Sequence, residues 1–83
     1  MNEKLANEVI RERGAIIDGA IVRVMKTNKD VAVSYAELST KVMSMITMFK
    51  AQPQMIKTRI EALITNVYMR RDEKDRTKFW YVA

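Results

Sequence analysis

The side chains that could do chemistry in this sequence are mostly basic. The chain has 15 Lys and Arg residues against 10 Asp and Glu residues, a net charge of +5, and neither cysteine nor histidine. Cysteine nucleophiles, disulfides, thiolate zinc sites and histidine acid–base catalysis are therefore excluded. The carboxylates do not form the clustered pattern of a calcium loop. We expect no metal site, no cofactor and no catalytic residue. Nucleic acid, an anionic membrane and an acidic protein are all compatible with the charge.

A basic ridge is predicted around Lys26. With each helical residue turned by about 100°, Val24 lies near the centre of the apolar face that contains Ile17, and Lys26 lies opposite Val24. Arg23 and Lys29 stand three residues before and after Lys26, so they flank it. Cations near a helix C-terminus are also favoured by the helix dipole. The ridge is thus a candidate contact surface, and its position alone does not require a function.

Two other surfaces could contact nucleic acid. A predicted third helix presents Thr58, Ala62 and Thr65 outward, whereas a base-reading helix carries Arg, Lys, Asn or Gln there. The C-terminal segment is more basic and could contact phosphate. Its cations are Arg70, Arg71, Lys74, Arg76 and Lys78, interleaved with Asp72, Glu73 and Asp75. We favour a solvated hairpin whose mixed charges protect an exposed strand edge.

The elements that position these residues belong to one small domain. At 83 residues the chain is long enough for a single core, and its 48% hydrophobic and 30% charged content suits neither disorder nor a membrane span. With 2 Gly and 1 Pro, there are too few turn-forming residues for an all-β sandwich. The polar start of the chain is not a secretory signal. We expect a helix-rich domain of the cytoplasm and nucleus.

The first helix is predicted over residues 3–28, with Gly14 and Gly19 each weakening it by about 1 kcal/mol relative to Ala. Asn28 and Asp30 are its candidate stop residues. Its core side is an apolar stripe at helical spacing. The stripe comprises Leu5, Val9, Ile16, Ile17, Ala20, Ile21 and Val24.

The second helix begins at a capping box, in which the Ser34 hydroxyl accepts from the Glu37 amide and the Glu37 carboxylate reaches back to the cap. Val33 and Leu38 are placed to form a hydrophobic staple across the cap. The predicted core stripe of this helix is Leu38, Val42, Met45, Ile46 and Phe49.

Pro53 suits the first turn of a third helix. Its predicted stripe is Ile56, Ile60, Leu63, Ile64 and Val67. Residues 68–72 and 77–82 then read as a hairpin around the charged loop 73–76, with Phe79, Trp80 and Tyr81 packing on the helices. The predicted fold is α+β and mostly helical: a winged helix of three helices and a C-terminal hairpin wing. It forms one domain over residues 1–83, with 1–14 a helical lead-in.

The chain resembles the cullin family in several motifs. Ile21–Lys26 is similar to the neddylation motif of cullins, and Tyr68–Asp72 with Trp80–Ala83 is similar to the cullin C-terminus, which closes in Tyr-x-Ala. Residues 55–57 and 59–64 fit the last helix of that family. The resemblance covers about residues 15–83. Departures are Val24 for the usual Ile, Gly19 for the usual Ala, and Thr27 with Asn28 in a stretch that is usually more basic; they could alter recognition by an enzyme.

The resemblance implies the terminal winged-helix domain of a cullin, the scaffold of multisubunit ubiquitin ligases. Lys26 would accept a ubiquitin-like modifier through an isopeptide bond (neddylation), which activates the ligase. The implied recognition motif around Lys26 is Ile21, Val22, Arg23, Val24, Met25 and Lys29. The implied partners are the modifier, its conjugating enzyme and the RING subunit, with no small-molecule substrate and no membrane. The domain would be non-catalytic, and the chain would be a fragment of a larger cullin.

Two alternatives stay open. A nucleic-acid-binding winged helix would use the wing and the basic ridge, although the outer face of the third helix argues against base reading. An interaction domain that has lost modification is the other, and the presence of Lys26 counts against it.

Overall fold

A computed structural model describes residues 3–82, with side chains from residue 9 onward. The side chain of Leu5 and residue Ala83, both used in the sequence predictions, lie outside the described residues. Within residues 3–82, three helices supply most of the core: α1 is Glu3–Thr27, α2 is Tyr35–Met45 and α3 is Pro53–Thr65. Three short strands complete the domain: β1 is Val33–Ser34, β2 is Met69–Arg71 and β3 is Lys78–Tyr81. The predicted α+β winged helix is therefore confirmed.

The sheet has the order β1-β3-β2, and both pairings are antiparallel. In the β2–β3 hairpin, Met69 lies opposite Tyr81 and Arg71 opposite Phe79. The strand β1 was not predicted. Val33 pairs with Phe79, and the Tyr35 amide donates to the Thr77 carbonyl at 2.7 Å, so the start of α2 is tied to the wing.

One core cluster draws on every element. It contains Ile17, Ala20, Ile21, Val24, Met25, Val33, Leu38, Val42, Ile46, Ala51, Ile56, Ile60, Leu63, Met69 and Phe79. Burial of this set is the main term that stabilises the fold, because apolar area removed from water contributes about 25 cal/mol per Å². Within residues 3–82, no helix is long and apolar enough to cross a membrane.

At the start of α2, one of the two hydrogen bonds of the predicted capping box is present. The Ser34 hydroxyl accepts a hydrogen bond from the Glu37 amide at 3.1 Å, and Val33 and Leu38 are both buried. The Glu37 carboxylate does not reach back to the cap; it pairs with Lys41 one turn later, at 3.0 Å. The side-chain part of the cap is therefore the Ser34 hydroxyl, and the Tyr35 amide is satisfied by the Thr77 carbonyl.

The predicted stripe of α2 is too long. The helix ends at Met45, and Ile46 turns to an extended conformation with φ −93° and ψ 110°. That turn carries the Ile46 side chain into the core, leaves Met45 39% exposed and places Phe49 in the loop, where it packs on the core from outside the helix.

The predicted stripe of α3 is wrong at Val67. The helix ends at Thr65, and Val67 is 65% exposed with φ 62°, a left-handed conformation that reverses the chain before it can complete another turn. The Val67 amide donates to the Ile64 carbonyl at 3.0 Å, and the Tyr68 amide donates to the Leu63 carbonyl at 2.9 Å. This is the Schellman pattern of a helix C-terminus, and it directs the chain into β2.

Candidate functional site: the C-terminal end of the first helix

The last turns of α1 divide the predicted recognition motif between core and surface. Ile21, Val24 and Met25 are buried, at 0%, 5% and 1% exposure, and Val22 is half-buried against the core. Arg23 and Lys26 are exposed on the other side of the helix. The buried members hold the helix against the domain, and the exposed members are what a partner can contact from solvent.

Polar side chains close the end of α1. The Thr27 Oγ1 donates to the Arg23 carbonyl at 2.9 Å, and the Asn28 Nδ2 donates to the Val24 carbonyl at 2.8 Å. The Asn28 amide also donates to Val24 and Met25, at 3.2 and 3.1 Å. Thr27 and Asn28 therefore satisfy carbonyl groups that a helix end would otherwise leave to solvent. The sequence predictions assigned Asn28 this stop role, and it is confirmed.

Lys29 does not lie on the helix. The turn that follows α1 contains residues 28–30, and the Val31 amide closes it on the Asn28 carbonyl at 3.1 Å. Lys29 is exposed in that turn, so its predicted place one turn further along the same helical ridge is wrong. The ridge on α1 consists of Arg23 and Lys26, with Lys29 beyond the helix end because Asn28 has already terminated the hydrogen-bond ladder.

The Lys26 ammonium is open to solvent. It stands in the last turn of α1, and none of the ion pairs among the side chains of residues 9–82 involves it. A lysine amine on a four-carbon stem reaches well beyond the helix surface. Since no partner within this part of the chain competes for it, an incoming group meets an unoccupied amine.

A shallow groove of about 410 Å³ adjoins this surface, between α1 and α2. Its lining includes the cations Arg23 and Lys41 and the hydroxyl groups of Thr27, Thr40 and Ser44, together with Val24, Asn28 and Met45. No carboxylate is among these lining side chains. The exposed area of the groove is mainly apolar, and Lys26 does not line it. Lys41 is already paired with Glu37, so Arg23 is the unpaired cation among these lining side chains.

The outer face of α3 has the composition that the sequence predicted. Thr58 and Thr65 are exposed, but their hydroxyls donate to the helix's own carbonyls, at Gln54 and Glu61, over 2.9 and 3.0 Å. Ala62 between them is half-buried. With its hydroxyl donors already used and no long polar side chain among these three, this face is not suited to read base edges.

Two ion pairs tie the remaining charges of α3 to its neighbours. The Arg59 guanidinium donates two hydrogen bonds of 2.7 Å to the carboxylate of Asp18 on α1. Arg71 on β2 pairs with Glu61, and this hydrogen bond is the main cause of the lowered pKa of the Glu61 carboxyl. Arg71 is therefore not a free phosphate ligand, which weakens the case for nucleic-acid binding by the wing.

The loop of the wing is organised by Asp72, a role that the sequence predictions missed. Its Oδ1 accepts from the Lys74 and Asp75 amides at 2.8 and 3.0 Å, and its Oδ2 accepts from the Trp80 indole at 3.1 Å. These bonds, that of the Asp75 amide first, hold the pKa of the Asp72 carboxyl below its ordinary value. An Asp placed before a run of loop residues is the sequence signal for such a turn.

Trp80 is half-buried and packs on the wing instead of the core, so its predicted core position is wrong. Strand alternation gives the reason, because Phe79 takes the inward position and its neighbour must face outward. Among the side chains of residues 9–82, no group of three acidic residues is placed to hold a metal ion.

Comparison with known proteins gives a consistent result. The family model described as "Cullin protein neddylation domain" matches residues 12–75. "Putative cullin-like protein 1" of Arabidopsis thaliana is 40% identical over 82 residues, which cover 98% of this chain and 11% of that protein. "Cullin-4" of Dictyostelium discoideum is 35% identical over 99% of this chain and 10% of its own length. The chain therefore spans about a tenth of the length of the curated relatives it matches.

A solved structure supports the fold. A chain of the structure described as "A Dual E3 Mechanism for Rub1 Ligation to Cdc53: Dcn1(P)-Cdc53(WHB)" superimposes with a TM-score of 0.90 and 24% identity. The match covers 100% of this chain and 96% of that one. At this identity the likeness establishes the architecture alone.

Proposed function

Because this chain belongs to the cullin family and contains its neddylation domain, we propose that it serves a ubiquitin-ligase scaffold as the domain that accepts a ubiquitin-like modifier on Lys26. The observation that carries the proposal is the position of Lys26. It is exposed at the end of α1, inside the segment matched by the family model, and the buried Val24 and Met25 hold that turn in place.

In the proposed reaction the domain contributes one reacting group, the amine of Lys26. The neutral Lys26 amine attacks the carbonyl carbon of a thioester that links the modifier to a conjugating enzyme. An isopeptide C–N bond forms, the C–S bond breaks, the amine gives up a proton and the enzyme's cysteine leaves as thiolate. In this proposal no residue of the chain catalyses the step; the domain supplies the nucleophile and its surroundings.

Arg23 and the groove beside Lys26 supply the second part of the proposal. The exposed Arg23 would meet an acidic side chain, and the mainly apolar groove that it lines would meet an apolar one, on the conjugating enzyme or on the modifier. The partners we propose are the modifier, its conjugating enzyme and the RING subunit of the ligase. The similar Cdc53 chain is described together with Dcn1 and Rub1 ligation, so an accessory partner of the Dcn1 kind belongs to the same proposal.

Modification would then act as a switch. A covalent addition activates a ligase only if it is compatible with one arrangement of the complex and not with another. We propose that the modified domain leaves the neighbourhood of the RING subunit and that the complex operates in the cytoplasm and nucleus.

The test is conjugation in vitro. The 83-residue chain, Lys26→Arg and the matched control Lys29→Arg would be incubated with the modifier and its activating and conjugating enzymes, and products identified by intact mass and peptide mapping. We expect one modifier on the wild-type and Lys29→Arg chains and none on Lys26→Arg.

A second arm repeats the assay with the full-length scaffold and its RING subunit, since the RING helps to deliver the enzyme. An adduct retained by Lys26→Arg, or none on the wild-type scaffold, would contradict the proposal.

A further inference from the structure

The wing sheet has an outer face that no helix of the described chain covers. Met69 and Phe79 point into the core, so the alternate positions of the same strands face away from it. These positions hold Arg70, which is exposed, and Trp80, which is half-buried. Tyr68 and Val82 extend the two strands and are 47% and 43% exposed. The Val82 amide donates a hydrogen bond of 3.1 Å to the Tyr68 carbonyl.

Trp80 and Arg70 are held in a fixed arrangement on this face. The Trp80 indole N–H is bonded to Asp72, which sets the orientation of the ring. The Arg70 guanidinium lies 5.5 Å from the ring centroid, in a cation–π contact. None of the ion pairs among the described side chains uses Arg70. Its planar donors are therefore preorganised and free for a bidentate acceptor.

The neighbouring part of the face is apolar. Val67 is 65% exposed, and the hydrogen bonds at the end of α3 hold its backbone in the left-handed region. It leads directly into Tyr68, which pairs with Val82. Tyr68 and Val82 are thus kept in solvent beside an ordered Trp–Arg pair. Trp, Tyr and Arg are the residue types enriched at the energetic centres of protein interfaces.

We propose that this outer wing face, defined as Tyr68, Arg70, Trp80 and Val82, binds a segment of a partner protein that carries a carboxylate next to an apolar side chain. The carboxylate pairs with Arg70, and the apolar group covers Tyr68 and Val82. Two residues of antiparallel strand separate the two positions by about 7 Å. An Asp or Glu two residues from a Leu or Val in a strand, or one helical turn from it, matches that spacing.

Charge and shape favour a protein segment over nucleic acid. The ring of Trp80 already carries Arg70, so a base would have to displace it before stacking. Asp72, Glu73 and Lys74 lie at the loop end of the face, so the charge there is mixed and lacks the uniformly basic surface that a run of phosphates prefers. The face shares no residue with the surface around Lys26, so the inference goes beyond the modification proposed above.

The probe for the test is a phage-displayed library of random dodecapeptides, selected on the immobilised 83-residue chain. Trp80 is the only Trp of the sequence, so its fluorescence reports directly on this face. Enriched peptides would be synthesised and titrated against the wild-type chain, Arg70→Gln, and Lys50→Gln as a control that removes an exposed cation elsewhere. Thermal melts of the variants would verify that each is folded.

We expect the enriched peptides to share an acidic residue within four positions of an aliphatic one and to shift the Trp80 emission. Binding should weaken about tenfold in Arg70→Gln, the loss of one charged hydrogen-bonded pair, and remain unchanged in Lys50→Gln. The inference fails if no sequence is enriched, if enriched peptides lack acidic residues, or if Arg70→Gln binds them equally well. Tighter binding of a 15-residue oligo-dT that also depends on Arg70 would replace it with a nucleic-acid site.

Discussion

Val67 is the residue whose conformation fits its amino-acid type least well. It occupies the left-handed position of the Schellman pattern, where glycine is the usual residue, and it is a β-branched residue with φ 62°. A Cβ in this region costs roughly 1–2 kcal/mol. With 65% of the residue exposed, little packing offsets that cost. The domain therefore stores strain at the junction between α3 and the wing.

Val67→Gly should raise the free energy of unfolding by about 1 kcal/mol, because removing the Cβ relieves the backbone strain. The gain is not larger because glycine also increases the conformational entropy of the unfolded chain. In a domain of this size the melting temperature should rise by about 4–8 °C. Urea or thermal unfolding measures it. Val67→Ala is the matched control, since it keeps the Cβ and should gain much less. Equal gains in both variants would show that the strain lies elsewhere.

The sequence could not indicate this geometry. Val67 continues the apolar spacing of α3, and its neighbour Asn66 is the residue type that more often adopts a left-handed conformation. The chain reverses at Val67 because the Tyr68 and Val82 backbones must pair in the hairpin. That requirement is a tertiary one, and it overrides the local preference.

At the level of elements, the wing loop should make stability depend on acid. The pKa of folded Asp72 is below its ordinary value of 3.8, mainly because of the Asp75 amide, and the pKa of Asp75 is lowered mainly by the Thr77 hydroxyl. A carboxyl group with a depressed folded pKa contributes stability above its ordinary value and loses it as the pH falls through the folded value.

We therefore expect the melting temperature to fall as the pH decreases from about 5 to about 2. Asp72→Asn should have a lower melting temperature than wild type at pH 7. Its melting temperature should also fall less steeply as the pH decreases, so that the two proteins have similar melting temperatures near pH 2. Circular dichroism melts at each pH provide the measurement. Glu73→Gln, which removes an adjacent exposed charge, serves as control. If the melting temperature of Asp72→Asn falls as steeply below pH 5 as that of wild type, Asp72 is not a source of the acid sensitivity.

The element boundaries with local signals could be predicted from the sequence, and those that depend on distant contacts could not. Ser34 and Pro53 marked the starts of α2 and α3 because a cap hydroxyl and a missing amide act within one turn. Strand β1 has two residues and no period of its own; it exists because Val33 meets Phe79 across the chain. The Lys26 surface followed from helical spacing, whereas Lys29 depended on where the helix ends.

At the scale of the whole molecule, one ion pair among the side chains of residues 9–82 joins the first and third helices. Asp18 and Arg59 meet through two hydrogen bonds of 2.7 Å, with 25% and 35% of their side chains exposed. A bidentate arginine–carboxylate pair is stronger than an ion pair with a single hydrogen bond. Because both side chains are partly exposed, solvent screening reduces the contribution of this pair to stability. We assign it about 1 kcal/mol of coupling between α1 and α3.

A double-mutant cycle tests this estimate. Asp18→Asn and Arg59→Gln should each destabilise the domain by about 1–2 kcal/mol, and the double variant should lose about 1 kcal/mol less than the sum. Urea unfolding of the four proteins provides the values. Lys41→Gln, which breaks the exposed pair with Glu37, is a control expected to cost about 0.5 kcal/mol or less. Strict additivity would mean that the two residues act separately.

The division of Ile21–Lys26 between core and surface has an evolutionary consequence. Ile21, Val24 and Met25 are buried in the core, so a relative that had stopped being modified would still be expected to keep apolar residues there. Only the exposed positions 23 and 26 would be free to drift. Resemblance across this stretch is therefore mainly a record of ancestry and architecture. Under the proposed function, the identities of residues 23 and 26 would distinguish a relative that is modified from one that has lost modification.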